Sequence, residues 1–257
     1  MPIGGRSGSG NPSRRSTSTP RFRTVRRPRR PPTHAAHVGA HRQKDGLNYL
    51  GLAPRVGRRA GTLLTQVAEL AEAHGSRRVR TSIEQNLIVL DIPDDQLDSL
   101  STALDTVDLP SRPSTFRRQT MACTGIEFYK LAIVNTKDRA MTVVEELERR
   151  LPNFDTWFTL NFNGCPNSCA RIQTADIGLR GQIVTTVDGD QVEGFNVQLG
   201  GGLTAQTDFG RKTRGVKVTA TELPDYLERV LRRFQDTRQP DESFSAWVAR
   251  SDDTTLT

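Results

Sequence analysis

At 257 residues with 35% hydrophobic side chains, the chain has enough apolar content for one large domain or two small ones. It contains no apolar run approaching the roughly 20 residues a membrane helix needs and no apolar stretch near its start, which excludes a membrane span and a secretory signal from its expected features. The net charge of +7 divides unevenly: residues 1–43 hold ten arginines and no acidic residue, while the remaining 214 hold 26 basic and 29 acidic side chains.

Residues 1–42 form a cationic arm. Arg26-Arg-Pro-Arg-Arg-Pro-Pro32 and its many Ser, Gly and Pro neighbours bury too little apolar surface to offset the entropy of ordering, so disorder is expected. Such an arm can contact phosphates, act as an organelle-targeting segment, dock an acidic electron donor or be a solvated tail. Nucleic acid is not the expected partner of the chain as a whole.

Ordered structure is expected from Gln43-Lys-Asp-Gly46 onward. Thr62 to His74 places Leu63, Leu64, Val67, Leu70 and Ala71 on one helical face, with Gly75 as the stop. Arg77–Thr81 and Asn86–Ile92 read as strands joined by Glu84-Gln85-Asn86, and a helix then starts near Asp94, a candidate N-cap, with Leu97, Leu100 and Leu104 aligned. Leu109-Pro-Ser-Arg-Pro113 is a linker. Beyond it, Lys137 to Leu151 is an amphipathic helix ended by Pro152, and Trp157–Phe162 a strand leading into a Gly/Pro/Asn turn. Further strands are expected over Ile172–Leu179 and Phe195–Leu199, and helices over Thr221–Gln235 and Asp241–Arg250. Gly200-Gly201-Gly202 lacks the lysine of a phosphate loop, so a close approach of backbone to a strand or cofactor is expected there.

Every cysteine falls in two places, Cys123 in the segment after the linker and Cys165 and Cys169 in the turn. An odd, low count makes no disulfide framework and predicts free thiols in a reducing, cytoplasmic setting. A thiolate is a soft ligand suited to iron–sulfur clusters and zinc, yet a closed site of either kind takes four ligands. The four histidines offer no setting for a base or ligand: His34, His37 and His41 are assigned to the arm and His74 to a helix end.

The body resembles the C-terminal half of the sirohaem-containing sulfite and nitrite reductases of the ferredoxin-dependent kind. The resemblance runs through Gln43-Lys-Asp-Gly46, Gly51-Leu-Ala-Pro54, Gln85-Asn86-Leu-Ile-Val and Met121-Ala-Cys-Thr-Gly-Ile-Glu-Phe128. It continues in Asn163-Gly-Cys-Pro-Asn-Ser-Cys-Ala-Arg171, Ala175-Asp-Ile-Gly178 and Val197-Gln-Leu-Gly-Gly201. It implies an α+β fold, with a ferredoxin-like half-domain over 43–110, a sirohaem and iron–sulfur α/β domain over 111–250, and a tail over 251–257. It further implies a 4Fe-4S cluster and sirohaem, a ferredoxin or similar donor, and multi-electron reduction of sulfite to sulfide or nitrite to ammonia. Four cysteines, spaced Cys-x5-Cys and Cys-x3-Cys, hold the cluster in that family, and the last also bridges to the sirohaem iron. Cys123, Cys165 and Cys169 match, with Cys169 the bridge, while the remaining position is Tyr129, a harder ligand than a thiol. Asn167, Gln85 and Asn86 are the candidate contacts to sirohaem, with turn-forming bonds to local backbone as their ordinary alternative. Arg117, Arg118 and Arg171 suit its carboxylates or a solvated surface. No catalytic side chain is assigned.

Family members carry a preceding half that supplies much of the sirohaem cradle and the cations gripping the substrate anion. The chain is therefore expected to act poorly alone, to need a separate N-terminal half, and to leave apolar surface open where that half would pack. The alternatives are a non-catalytic iron–sulfur or haem-binding module and an inactive remnant.

Overall fold

The structure, a computed structural model, describes residues 37–154, 156–203 and 207–257. His34 and nearly all of the expected arm lie outside these residues. The expected start of order at Gln43 is too late: Gly39–Arg42 forms strand β1, paired antiparallel with β2 (Asn48–Leu52). His37 and His41 therefore belong to the body, His37 Nδ1 lying 2.9 Å from the Tyr49 hydroxyl and the His41 ring stacked on Tyr49 at 4.8 Å.

The first sheet is completed by β3 (Arg78–Thr81) and β4 (Leu87–Ile92), in the antiparallel order β1-β2-β4-β3. Helices α1 (Gly61–Ala73) and α2 (Leu97–Asp105) pack with it, burying Val67, Ala71, Leu100 and Leu104 with Leu50, Leu52, Val89 and Ile92. Each of the Val, Leu and Ile side chains taken out of water stabilises by roughly 1.5–3 kcal/mol before entropy is counted. Leu64, placed on the apolar face by periodicity, is exposed instead, because the stripe that meets the sheet runs through Leu63, Val67, Leu70 and Ala71. Asp94 is not a helix cap: its carboxylate accepts from Asn48 Nδ2 at 2.6 Å and pairs with Arg42, fastening α2's approach to the first sheet.

A short helix α3 (Thr115–Gln119), capped by Ser114 accepting from the Arg117 N–H, opens the second part. Its sheet has the order β5-β6-β7-β8-β9, formed by Thr120–Ala122, Leu160–Asn163, Ile177–Thr185, Gln191–Leu199 and Arg211–Thr219. The first three strands are parallel and the rest antiparallel. A parallel pair needs a crossover, and α4 (Thr136–Arg150) supplies it between β5 and β6. Asn135 caps that helix by accepting from Asp138 N–H, and Asp138 at its start and Arg149 and Arg150 at its end match the helix dipole.

Strand alternation sorts the second sheet into faces. Leu160, Phe162, Ile177, Leu179, Phe195 and Val197 enter one core with Val143, Val144 and Leu147 of α4. The same core takes in α5 (Leu223–Thr237) and α6 (Phe244–Arg250), where Phe234, Phe244 and Trp247 meet with centroids 5.3–5.5 Å apart. Among the described residues no helix is long and apolar enough to cross a membrane.

Candidate functional site

Ligands of open α/β sheets collect where parallel strands end, and both cysteine segments lie there. Cys123 directly follows β5, its N–H extending the ladder to Phe162 O at 3.0 Å. Gly164 and Cys165 directly follow β6. The Gly164 N–H donates to Cys123 Sγ at 3.2 Å, so one backbone amide joins the two segments through sulfur. Thr136, buried in the first turn of α4, donates to Cys123 O at 2.7 Å and sits 3.6 Å from its Sγ.

The Cys165–Ala170 turn is held from inside by Asn163, a residue the sequence reading did not single out. Its side chain is fully buried. Nδ2 donates to Cys165 O and Oδ1 accepts from Ala170 N–H, both at 2.8 Å. Its signal in the sequence was an Asn closing a strand immediately before Gly-Cys, where a short amide can bond backbone on its far side. Ser168 and Arg171 both adopt left-handed backbone, at φ 56° and 53°, which turns the chain back after each end of the Cys169 segment. The three free thiols end up in different settings: Cys165 is 3% exposed, Cys123 half-buried and Cys169 open to solvent.

Tyr129 reaches the turn from the Cys123 loop, its hydroxyl accepting from Asn167 Nδ2 at 3.0 Å. Asn167 is thus at the site, on its exposed rim. Gln85 and Asn86 bond backbone of the second part. Gln85 pairs with both polar groups of Ala122, Nε2 donating to its O at 2.8 Å and Oε1 accepting its N–H at 3.2 Å, and Asn86 Nδ2 donates to Arg118 O at 3.3 Å. Their amides pin the first sheet's hairpin to β5, rather than bonding the local backbone of their own turn. Lys137 joins this clamp by donating to Val56 O and to Gln85 Oε1. Burial lowers the Lys137 pKa, and the nearby Cys123 pulls it back up.

The arginines divide. Arg117 is buried and used internally, Nε donating to Ala53 O at 3.1 Å and its other end pairing with Asp108 at 3.0 Å. Arg171 donates to Ile83 O at 3.2 Å. Arg118 keeps a buried Nε without a partner. Gly201 answers to backbone: a Cβ there would stand 2.3 Å from Gln173 O. Around the loops Ile83, Ile126, Phe128 and Leu131 are exposed, Phe128 by 78% and Leu131 by 73%.

Residues 40–107 match the nitrite/sulfite reductase ferredoxin-like half domain, and residues 114–252 match the nitrite and sulphite reductase 4Fe-4S domain. The chain belongs to the nitrite/sulfite reductase family. It is 52% identical over 224 residues to sulfite reductase (ferredoxin) 1 of Mycolicibacterium paratuberculosis, a match covering 86% of this chain and 40% of that protein. It is 37% identical over 195 residues to the ferredoxin–nitrite reductase of Synechococcus elongatus, covering 76% of this chain and 38% of the relative. The solved structure of the Mycobacterium tuberculosis NirA protein superposes with a TM-score of 0.83 at 51% identity, over 86% of this chain and 41% of that one. The chain thus spans about 40% of the length of the curated relatives it matches.

The family implies a 4Fe-4S cluster and sirohaem. The donor chemistry is of the right kind for an iron–sulfur centre, with three free thiols in two adjoining loops and a backbone N–H directed at one sulfur. It offers no fourth thiol. Among the described residues no set of three or more His, Cys, Asp or Glu side chains stands converged for a metal ion.

Proposed function

We propose that this chain is the cluster-bearing and sirohaem-binding part of a ferredoxin-dependent reductase that takes sulfite to sulfide or nitrite to ammonia. The observation that carries the reading is the placement of all three thiols where β5 and β6 end, one of them, Cys169, open to the outside. Cys123, Cys165 and Cys169 would hold the cluster, and Cys169 is the most exposed of the three. When bound, such a cluster passes electrons singly into a multi-electron reduction at sirohaem.

The chain's own residues prepare the site. The Gly164 N–H donates to the Cys123 sulfur and so ties the two cysteine loops together. Asn163 fixes the turn's path and the Gln85–Ala122 pairing fixes β5, so the two loops enter the site from a rigid base. The exposed Ile83, Ile126, Phe128 and Leu131 suit burial by the remaining reductase sequence, in this chain or a separate one. Free thiols suit a cytoplasmic setting.

The test is anaerobic purification after co-expression with a sirohaem supply, followed by visible spectroscopy and iron and acid-labile sulfide analysis. Sirohaem bands with sulfide-containing iron are expected. A colourless, iron-free protein would refute the reading. Mixing with the remaining half of a relative's reductase should then give sulfite- or nitrite-dependent oxidation of reduced ferredoxin.

A further inference from the structure

Strand β3 is one edge of the first sheet, paired with β4 and with no other described strand. Each of its residues, Arg78 to Thr81, is exposed. In an antiparallel pair, residues that exchange backbone hydrogen bonds alternate with residues that do not. Ser82, just past β3, donates its N–H to Asn86 O at 2.9 Å, which makes these two a bonding pair. Counting back along the register, Arg80 bonds with Ile88 and Arg78 with Leu90, whereas Val79 opposite Val89 and Thr81 opposite Leu87 do not bond. The N–H and C=O groups of Val79 and Thr81 therefore point away from β4, out of the sheet's edge.

The pleat sorts the side chains along that edge. Arg78 and Arg80 stand on one face, Val79 and Thr81 on the other. Arg78 is paired with Asp91 of β4, while the Arg80 side chain makes no hydrogen bond or ion pair among the described residues. Val79 is 44% exposed, and Ile83, beyond the strand, 73%. A strand added here meets open backbone, cations on one face and apolar surface on the other. A second copy of β3 fits poorly, because self-pairing centred on Val79 or Arg80 sets arginine opposite arginine, and like charges directly opposite destabilise.

We propose that the β3 edge is a docking site for an extended, acidic segment of a partner protein. The segment is added as a strand outside β3, its backbone bonding Val79 and Thr81 and its carboxylates facing Arg80. Strand addition of this kind draws affinity from main-chain bonds and specificity from alternate side chains. The edge lies outside the cysteine loops, and docking there requires no bound cofactor.

The probe is a short, dye-labelled peptide alternating glutamate with valine, its ends blocked, titrated with the full chain and followed by fluorescence anisotropy. A peptide alternating lysine with valine is the control. Saturable binding of the glutamate peptide alone is expected, with slowed hydrogen exchange in β3. V79P removes an outward N–H without touching a bond to β4, a change that an edge strand tolerates, and should weaken binding about tenfold or more. R80E should weaken the glutamate peptide similarly and admit the lysine peptide. Circular dichroism confirms that each variant is folded. No saturable binding would overturn the proposal and leave the arginines as guards against aggregation. Equal binding of the two peptides, or binding unchanged in both variants, would overturn it as well. So would a self-associated natural chain, read by sedimentation, that V79P makes monomeric, because a second copy would then occupy the edge.

Discussion

Asn163 spends both ends of its amide on the Cys165–Ala170 turn while wholly enclosed. Replacing it with alanine leaves a buried carbonyl and a buried N–H without partners, each costing about 1–3 kcal/mol. Asn163→Ala should therefore lower the urea midpoint and reduce iron uptake, whereas Asn167→Ala, on the exposed rim, should leave the midpoint nearly unchanged. Asp176 carries a different kind of test. Thr159 donates to its carboxylate from N at 2.9 Å and from Oγ1 at 3.0 Å, but burial outweighs both bonds and pushes the pKa up to about 6, even though other atoms of the residue reach solvent. The unfolded carboxyl titrates near 3.8. From about pH 4 to about pH 6 the native state thus keeps a proton that the unfolded chain has released, and stability falls as pH rises, by about 3 kcal/mol in all. Asp176→Asn keeps an acceptor for Thr159 and should flatten that fall; urea melts at several pH values, natural chain against variant, measure it.

Secondary structure was legible where one face is decisively apolar. The stripe of Val143, Val144, Leu147 and Leu151 and the Pro152 stop point to a helix within a residue of the observed Thr136–Arg150. Strands β1, β5 and β9 escaped notice for physical reasons. Gly39–Arg42 carries its pairing partners rather than an apolar pattern, Thr120–Ala122 is too short for periodicity, and Arg211–Thr219 is a charged edge strand. The loop after β5 depends on Gly125, at φ 65°, packed against the start of α4. A Cβ there would stand 2.5 Å from Thr136 Oγ1 and 2.8 Å from its N. Gly125→Ala should cost on the order of 2–4 kcal/mol from strain and overpacking combined, and should move the Thr136 contact away from Cys123. Thermal denaturation reads the first effect. Slower iron incorporation reads the second.

At the scale of the molecule, the first sheet's part and the second are joined through polar clamps as well as apolar packing. Arg117 bonds Ala53 O and pairs with Asp108, which Arg55 and Arg59 also approach. Burial works against the Asp108 charge, yet these guanidiniums hold its pKa below the usual carboxylate range. Arg117→Met keeps most of the volume and removes the donors; it should cost roughly 1–3 kcal/mol and increase hydrogen exchange in β2 and β5 together. A loss confined to one strand would show that the clamp does not couple the two parts. The sequence by itself determined the family, the three thiols and the absence of a fourth, because soft ligands at a set spacing on a Gly/Pro/Asn turn are written in residue identity. It also determined the main helices, through apolar periodicity. Only the tertiary structure decided the employment of the polar side chains. Residue identity gives Gln85, Asn86 and Arg117 their donors, but which protein groups those donors meet is settled by what lies within about 3 Å. In the fold those neighbours are Ala122, Arg118 O, Ala53 O and Asp108.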